Sequence, residues 1–318
     1  MFDIIIASME NVVKRFGNIQ ALDHVSFDIH KGEVIGLLGP NGAGKTTAIR
    51  ALAGLISADS GEIRLRDEKQ DVNNIRLKRH LGLVTQEVTV FEELTAEENL
   101  RFFGGLYGVK GDLLRQRVKE ILEFVGLSEY ARKAPGKFSG GMQRRLNIAC
   151  ALVHTPEFLI MDEPTVGIDP QSRNYILESV RHLAQAGTTV LYTSHYMEEV
   201  QAIADRIVIM DQGRVIADGT LEEMISRIQH EETIRITVTN PSPILAESFR
   251  TIQGVKSVMQ NGADYTIISG VGSGNLNRVL EVAQQSGGVS NISADKPTLE
   301  DVFLTLTGKK LRDEEAGV

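Results

Sequence analysis

The sequence predicts an α/β fold: a mainly parallel core sheet, an inserted helical subdomain, and a small α+β domain at the C-terminal end. Three observations carry this. Short apolar runs stand at Val34–Leu38, Phe158–Met161, 189–192 and 207–210, and Val/Ile/Leu runs without alternation suit parallel strands covered on both faces. Helical patterns at 45–56 and 175–186 lie between them, the order that an α/β domain requires. After Gly219 the pattern changes to strand, helix, strand, strand, helix, strand.

The region from 86 to 155 is helical in pattern. Thr95 and Glu98 form a capping-box signature before a helix at 99–107, and glycines at 108 and 111 separate it from another at 113–125. The expected organisation is a first domain over 1–220, with its helical subdomain at about 87–155. A linker at 221–233 follows, beginning as a short helix. Strands at 234–239, 255–260, 264–269 and 289–294 and helices at 244–252 and 276–285 then predict a ferredoxin-like sandwich within 234–308. Leu299, Val302, Phe303 and Leu306 place an apolar stripe on a last helix, and 309–318 reads as a frayed tail.

With 318 residues, 42% of them hydrophobic, the chain can build more than one core. The formal charge of -8 argues against a broad electrostatic grip on nucleic acid. The single cysteine, Cys150, lies in the apolar run IACALV and reads as a buried thiol in a reducing setting. No apolar stretch reaches the ~18–20 residues that cross a bilayer, and the opening MFDIIIAS lacks the parts of a secretion signal. The chain is expected to be soluble, with any membrane role supplied by a partner.

Residues Gly39-Pro40-Asn41-Gly42-Ala43-Gly44-Lys45-Thr46 fit G-x-x-x-x-G-K-[ST] between a strand and a helix, with Thr47 next. Gly42 and Gly44 let the backbone N–H groups close around phosphate oxygens at a helix N-terminus. Lys45 reaches the outer phosphates, and the Thr46 hydroxyl suits Mg²⁺. The pattern marks the nucleotide site of a P-loop NTPase, with Mg²⁺ beside the phosphates. Phe158–Met161 then delivers Asp162 and Glu163 at a strand end, where parallel sheets bind ligands. Asp162 suits the Mg²⁺ shell and Glu163 a general base for the attacking water; by itself the pair reads equally well as an acidic turn before Pro164. His195 follows the run at 189–192. A lone histidine there is more often structural, but this one ends a strand on the phosphate-binding edge. The other six histidines have no such context and are read as structural.

Together with FSGGMQ at 138–143, these motifs resemble the ATP-binding subunits of ATP-binding-cassette (ABC) transporters from about Met9 to Gly219. The resemblance makes GPNGAGKTT the Walker A motif, FLIMDEP Walker B and His195 the switch histidine. It assigns Gln86 to Mg²⁺ and water sensing beside the membrane subunit, Phe16 to stacking on adenine, and Asp169 to a loop crossing between subunits. Ser139, Gly140 and Gly141 would meet the γ-phosphate of an ATP held by a second copy, so that a homodimer encloses two ATP. Phe138 and Met142 depart from the usual signature LSGGQ but leave its hydroxyl and N–H donors in place. The final KPTLEDVFLTLTG resembles cassettes of ABC-2-type exporters of the daunorubicin-resistance kind. A separate integral membrane permease is then implied, with this chain at the cytoplasmic face of the cell membrane. Val88, Val90, Phe91 and Leu94, bunched after Gln86, are candidates for the coupling surface. The alternative is a regulatory, ribosome-associated or DNA-associated ATPase, but one cassette per chain, a short 86–138 interval without heptads and the acidic charge all speak against the last two.

Overall fold

Two alternating stretches open the chain as strands β1 (Ile5–Phe16) and β2 (Ile19–His30). β3 (Val34–Leu38) leads into helix α1 (Lys45–Leu52), followed by β4 (Ser60–Leu65), β5 (Glu68–Lys69) and the short α2 (Ile75–Lys78). β6 (Leu81–Val84) precedes α3 (Ala96–Leu106), α4 (Gly111–Phe124) and α5 (Gly140–Leu152). Next come β7 (Phe158–Met161), α6 (Pro170–Gln185), β8 (Thr189–Thr193), α7 (Met197–Ile203), β9 (Arg206–Asp211) and β10 (Arg214–Gly219). The remainder is α8 (Leu221–Ile228), β11 (Glu231–Val238), α9 (Pro243–Arg250), β12 (Val255–Asn261), β13 (Asp264–Gly270), α10 (Asn275–Ser286), β14 (Val289–Asp295) and α11 (Leu299–Thr307). This computed structural model describes residues 4–228, 231–270, 274–286, 288–295 and 298–307, and the chain divides into two units between Leu221 and Glu222.

The core sheet of the first unit has the order β10-β9-β3-β8-β7-β6. Its strands from β9 to β6 are parallel and β10 is antiparallel. The expected sheet had four parallel strands; β6 is a fifth, too short and too interrupted by Gly82 to stand out as an apolar run. A second sheet, β2-β1-β4-β5, is wholly antiparallel and was not anticipated. Its longest strands carry several register shifts. Each shift resets the two-residue alternation by which a half-buried strand is recognised.

Helix ends follow local chemistry. Thr95 Oγ1 accepts the Glu98 N–H at 3.2 Å while Glu98 Oε2 accepts the Thr95 N–H at 2.8 Å, completing the expected capping box. α6 starts five residues before the expected 175, because Pro170 fits a first turn and Asp169 caps it. α3, α4 and α5 share a core of Leu100, Val118, Leu122, Leu146 and Cys150, and burial pushes the Cys150 thiol well up. Among the described residues, no helix is long and apolar enough to cross a membrane.

In the second unit the sheet order is β12-β13-β11-β14, antiparallel throughout, as a ferredoxin-like sandwich requires. Ile234, Ile236, Tyr265 and Ile267 meet Leu245, Phe249, Val279 and Ala283 from its helices. The expected linker is shorter than 221–233. α8 occupies its first part, and residues 231–233 already pair with 268–270. Backbone pairing decides this, and the polar sequence there conceals it. On α11, Leu299, Val302 and Phe303 are buried but Leu306 is exposed. His230 and the tail at 309–318 lie outside the described residues.

His154, read as structural, packs flat on Tyr107 with ring centroids 3.8 Å apart, and its Nε2–H donates to Leu81 O at 3.0 Å. Its buried Nδ1 has no partner among the described residues. Desolvation therefore pulls the His154 pKa down to about 4. Between that value and the ordinary 6.5 the unfolded chain binds the extra proton, so stability falls as pH drops through this window. Relative to His154→Phe, the wild type should lose about 2 kcal/mol more on going from pH 7 to pH 5, measured by urea unfolding at both pH values.

Candidate active site

The cradle sits where β3 meets α1. Gly44 takes a left-handed φ of 102°, and a Cβ there would stand 2.5 Å from Ala21 O, so only glycine lets the loop lie against the β1–β2 hairpin. Lys45 is buried, and its Nζ donates to Gly39 O at 2.6 Å and Pro40 O at 3.2 Å. Desolvation lowers its pKa, against the opposing fields of Glu163 and Asp162. The ammonium is thus held inside its own loop by two neutral acceptors that an anionic phosphate would outcompete.

Beyond β7, Asp162 and Glu163 are both buried. One hydroxyl organises them: Thr193 Oγ1, at the end of β8, donates to Asp162 Oδ1 at 2.9 Å and accepts the Glu163 N–H at 2.9 Å. Burial raises the Asp162 pKa and the Thr193 bond opposes the rise. Glu163 is left-handed, with φ 49°, a strained setting for a non-glycine residue. Its Oε1 lies 2.6 Å from His195 Nε2, while Oε2 is buried without a hydrogen-bond partner among the described residues.

An open cleft of about 710 Å³ gathers Asn41, Gly42, Ala43, Gly44, Lys45, Thr46, Thr47, Gln86, Glu163 and His195, with Ile19, Gln20, Ala21, Val166 and Tyr196. Gly39, Pro40 and Asp162 do not line it but are bonded to residues that do, the first two as acceptors of Lys45 Nζ and Asp162 by sharing the Thr193 hydroxyl with Glu163. Phe16, Ser139, Gly140, Gly141 and Asp169 are not among its lining residues. Phe16 ends β1, half exposed, with Lys14 Nζ 5.6 Å from its ring centroid. The Thr46 hydroxyl, Asp162 carboxylate and Gln86 amide are hard oxygen donors of the kind Mg²⁺ takes beside nucleotide phosphates. Among the described residues no group of three or more His, Cys, Asp or Glu forms a separate metal cage.

Ser139 caps α5, its Oγ accepting the Met142 N–H at 3.2 Å. Gly140 is exposed and has nothing within 4 Å of a would-be Cβ. Gly141 is buried: a Cβ would come 2.1 Å from Ser172 Oγ and 2.9 Å from Asp169 Oδ2. Asp169 in turn caps α6, accepting the Ser172 N–H at 2.9 Å, and its hydrogen bonds hold its carboxyl below the usual range. The glycine therefore seats the 139–141 edge against the Asp169 turn. Phe138 and Met142 pack against the helical core, so the two departures from the signature face inward.

The linearmycin resistance ATP-binding protein LnrL of Bacillus subtilis is 42% identical to this chain, with 96% of this chain and 99% of the relative covered. The chain belongs to the ATP-binding subunits of ABC transporters. The ABC transporter family matches residues 22–166, and the C-terminal domain of the DrrA1-3-like ATP-binding proteins matches 219–307. The daunorubicin resistance ATP-binding protein DrrA3 of Streptomyces coeruleorubidus is 37% identical over 97% of this chain and 98% of the relative. Among solved structures, a dimeric ATP-binding cassette in a post-hydrolysis state with ADP and Pi is similar at TM-score 0.62. It is 28% identical, with 68% of this chain and 98% of that one covered. The ABC subunit binds and hydrolyses ATP in the service of export.

Some functional positions of the ABC subunit escape sequence reading. Thr193 is hidden as one more residue of an apolar strand, although its place two residues before His195 puts it at the same sheet edge. Arg144 and Asn147, one helical turn apart on α5, hold the Gln86 segment. Arg144 donates to Thr85 O at 2.9 Å and Gln86 O at 2.6 Å, and burial lowers its pKa. Asn147 Oδ1 accepts from both the backbone N–H and the hydroxyl of Thr89. Beyond this segment Phe91 and Phe102 are exposed, their ring centroids 5.0 Å apart, and Leu106, one turn after Phe102 on α3, is exposed too. Val88, Val90 and Leu94 are half-buried, so Phe91 is the most accessible of the four expected coupling residues.

Thr193→Val keeps the side-chain shape but leaves the Glu163 N–H without its acceptor. It should lower ATP turnover about tenfold and leave the Kd for ATP within about twofold, measured by steady-state hydrolysis and calorimetry.

Proposed function

We propose that this chain forms a head-to-tail homodimer around two Mg²⁺·ATP and powers a separate ABC-2-type membrane permease at the cytoplasmic face of the cell membrane. The single observation that carries the reading is the division of the site. The cleft of one copy gathers Asn41–Thr47, Gln86, Glu163 and His195, while Ser139 and Gly140 present a hydroxyl and a helix N-terminus outside it. An anion-seeking edge without an anion site of its own suits the outer phosphate of a second copy's nucleotide.

In the proposed roles, Gly39–Thr47 and Lys45 hold the phosphates, and Phe16 and Ile19 flank the base. Thr46, Asp162 and Gln86 would hold Mg²⁺, which when bound supplies charge neutralisation on the phosphate oxygens. Glu163 Oε2 accepts a proton from the water whose oxygen bonds to the γ-phosphorus as the bond to the bridging oxygen breaks, giving ADP and phosphate. His195 fixes the other oxygen of that carboxylate. Gly141 and Asp169 shape the surface facing the partner copy. Phe91, Phe102 and Leu106 support a dock for the permease. Relatives named for resistance to linearmycin and daunorubicin support an antibiotic-type cargo, carried along a path in the permease.

Ser139→Arg should leave ATP binding to the monomer intact and abolish ATP-driven dimerisation, read by light scattering. Retained dimerisation would refute the shared site. Glu163→Gln should slow hydrolysis by about 10²–10⁴-fold while stabilising the ATP-bound dimer, a combination that loss of folding does not produce.

A further inference from the structure

Glu199 lies on α7 and is buried at 3% exposure. Its Oε2 accepts three hydroxyls: Thr165 Oγ1 at 2.7 Å, Ser194 Oγ at 2.7 Å and Tyr192 OH at 2.9 Å. Its Oε1 lies at ion-pair distance from Arg173 Nε, 3.2 Å, with no hydrogen bond between the two atoms. Those partners come from three segments. Thr165 follows Glu163, Tyr192 and Ser194 bracket Thr193 and precede His195, and Arg173 stands in the first turn of α6, four residues after Asp169.

The consequence for His195 is specific. The Ser194 hydroxyl donates to Glu199 and accepts the Tyr196 N–H at 2.9 Å, closing a small turn around His195. Arg173 lies over the Tyr196 ring, its Cζ 4.3 Å from the ring centroid. Both chain neighbours of His195 are therefore fixed through the one carboxylate, one by a hydroxyl and the other by the cation that the carboxylate holds. A surface ion pair would do little here, but a buried carboxylate that accepts three hydroxyls and faces a cation ties its segments together, because its loss leaves those hydroxyls and that cation without their acceptor.

We infer that Glu199 is a positioning residue for the reaction: with Arg173 it holds His195 against Glu163 and ties that pair to the helix behind the Asp169 turn. This rests on the reading of His195 and Glu163 as the hydrolytic pair. Movement of the Asp169 turn on dimerisation then reaches His195 through Arg173, without passing through the core sheet.

The test uses the full chain with imidazole carbons labelled, the His195 resonance being assigned with His195→Gln. Glu199→Gln removes the charge with little change in shape. Arg173→Met removes the cation at a partly exposed position and keeps the test available should the buried substitution fail to fold. In at least one variant that retains ATP binding within about twofold, turnover should fall about tenfold or more and the His195 resonance should shift or broaden, while that of His182 stays in place. Loss of turnover with an unmoved His195 resonance would overturn the inference and make Glu199 a general stability element. A moved resonance with full turnover would overturn it as well. If His195→Gln itself hydrolyses ATP at the wild-type rate, the reading of His195 fails instead, whatever the resonance does.

Discussion

Two carboxylates occupy adjacent positions at the end of a buried strand, and the first unit is arranged around keeping them there. Unit charges 4 Å apart repel by about 4 kcal/mol at an effective dielectric of 20, and burial adds a desolvation cost to each. The opposing groups come from separate elements. Lys45 contributes its field from the cradle, Thr193 binds both residues from the neighbouring strand, and His195 meets Glu163 from the loop beyond. None of these can be supplied locally in the chain, so the parallel order of β3, β8 and β7 is the condition under which the pair can exist. The unmatched Glu163 Oε2 and the left-handed Glu163 backbone are what that arrangement leaves available for chemistry.

The same first unit changes attachment abruptly beside the site. Val84 O accepts the Asp162 N–H at 2.8 Å, tying the end of β6 to the end of β7. The next two carbonyls, Thr85 O and Gln86 O, are held by Arg144 on the helix that Ser139 caps. Gln86 is thus positioned by the helical subdomain, although the strand leading to it belongs to the core sheet. An exposed aromatic pair, Phe91 and Phe102, follows within the same subdomain. The Glu163 strand end, the helix capped by Ser139 and the segment leading to the exposed aromatics are consequently joined through short polar links.

What could be read from the sequence was what the chemistry makes local. The cradle needs glycines, a lysine and a threonine in fixed succession. Thr95 and Glu98 need only one turn to cap α3, and the β-α-β-β-α-β order of the second unit needs only short loops. The antiparallel β1–β2 pair was illegible because its bulges break the alternation, and β6 because four residues at a sheet edge leave too short a pattern. Thr193, Arg144 and Glu199 were missed for a different reason. Their importance lies in partners 30 or more residues away for the first two, and for Glu199 in the convergence of three segments on one carboxylate. A family resemblance supplied Phe16, Gln86 and Asp169, which no local pattern would have singled out.

The central claim is that each nucleotide is held between the cradle of one copy and the Ser139 edge of another. Mixing two variants tests it most directly, with Glu163→Gln present in both to prevent hydrolysis. Ser139→Arg keeps its cradle, and Lys45→Ala keeps its signature edge, so neither alone has a complete site, whereas a mixed dimer has one by two-fold symmetry. The account predicts that neither variant alone retains ATP through gel filtration and that the mixture retains one ATP per dimer. A mixture that traps no more ATP than its separate components, or a Ser139→Arg variant that traps ATP unaided, would contradict it.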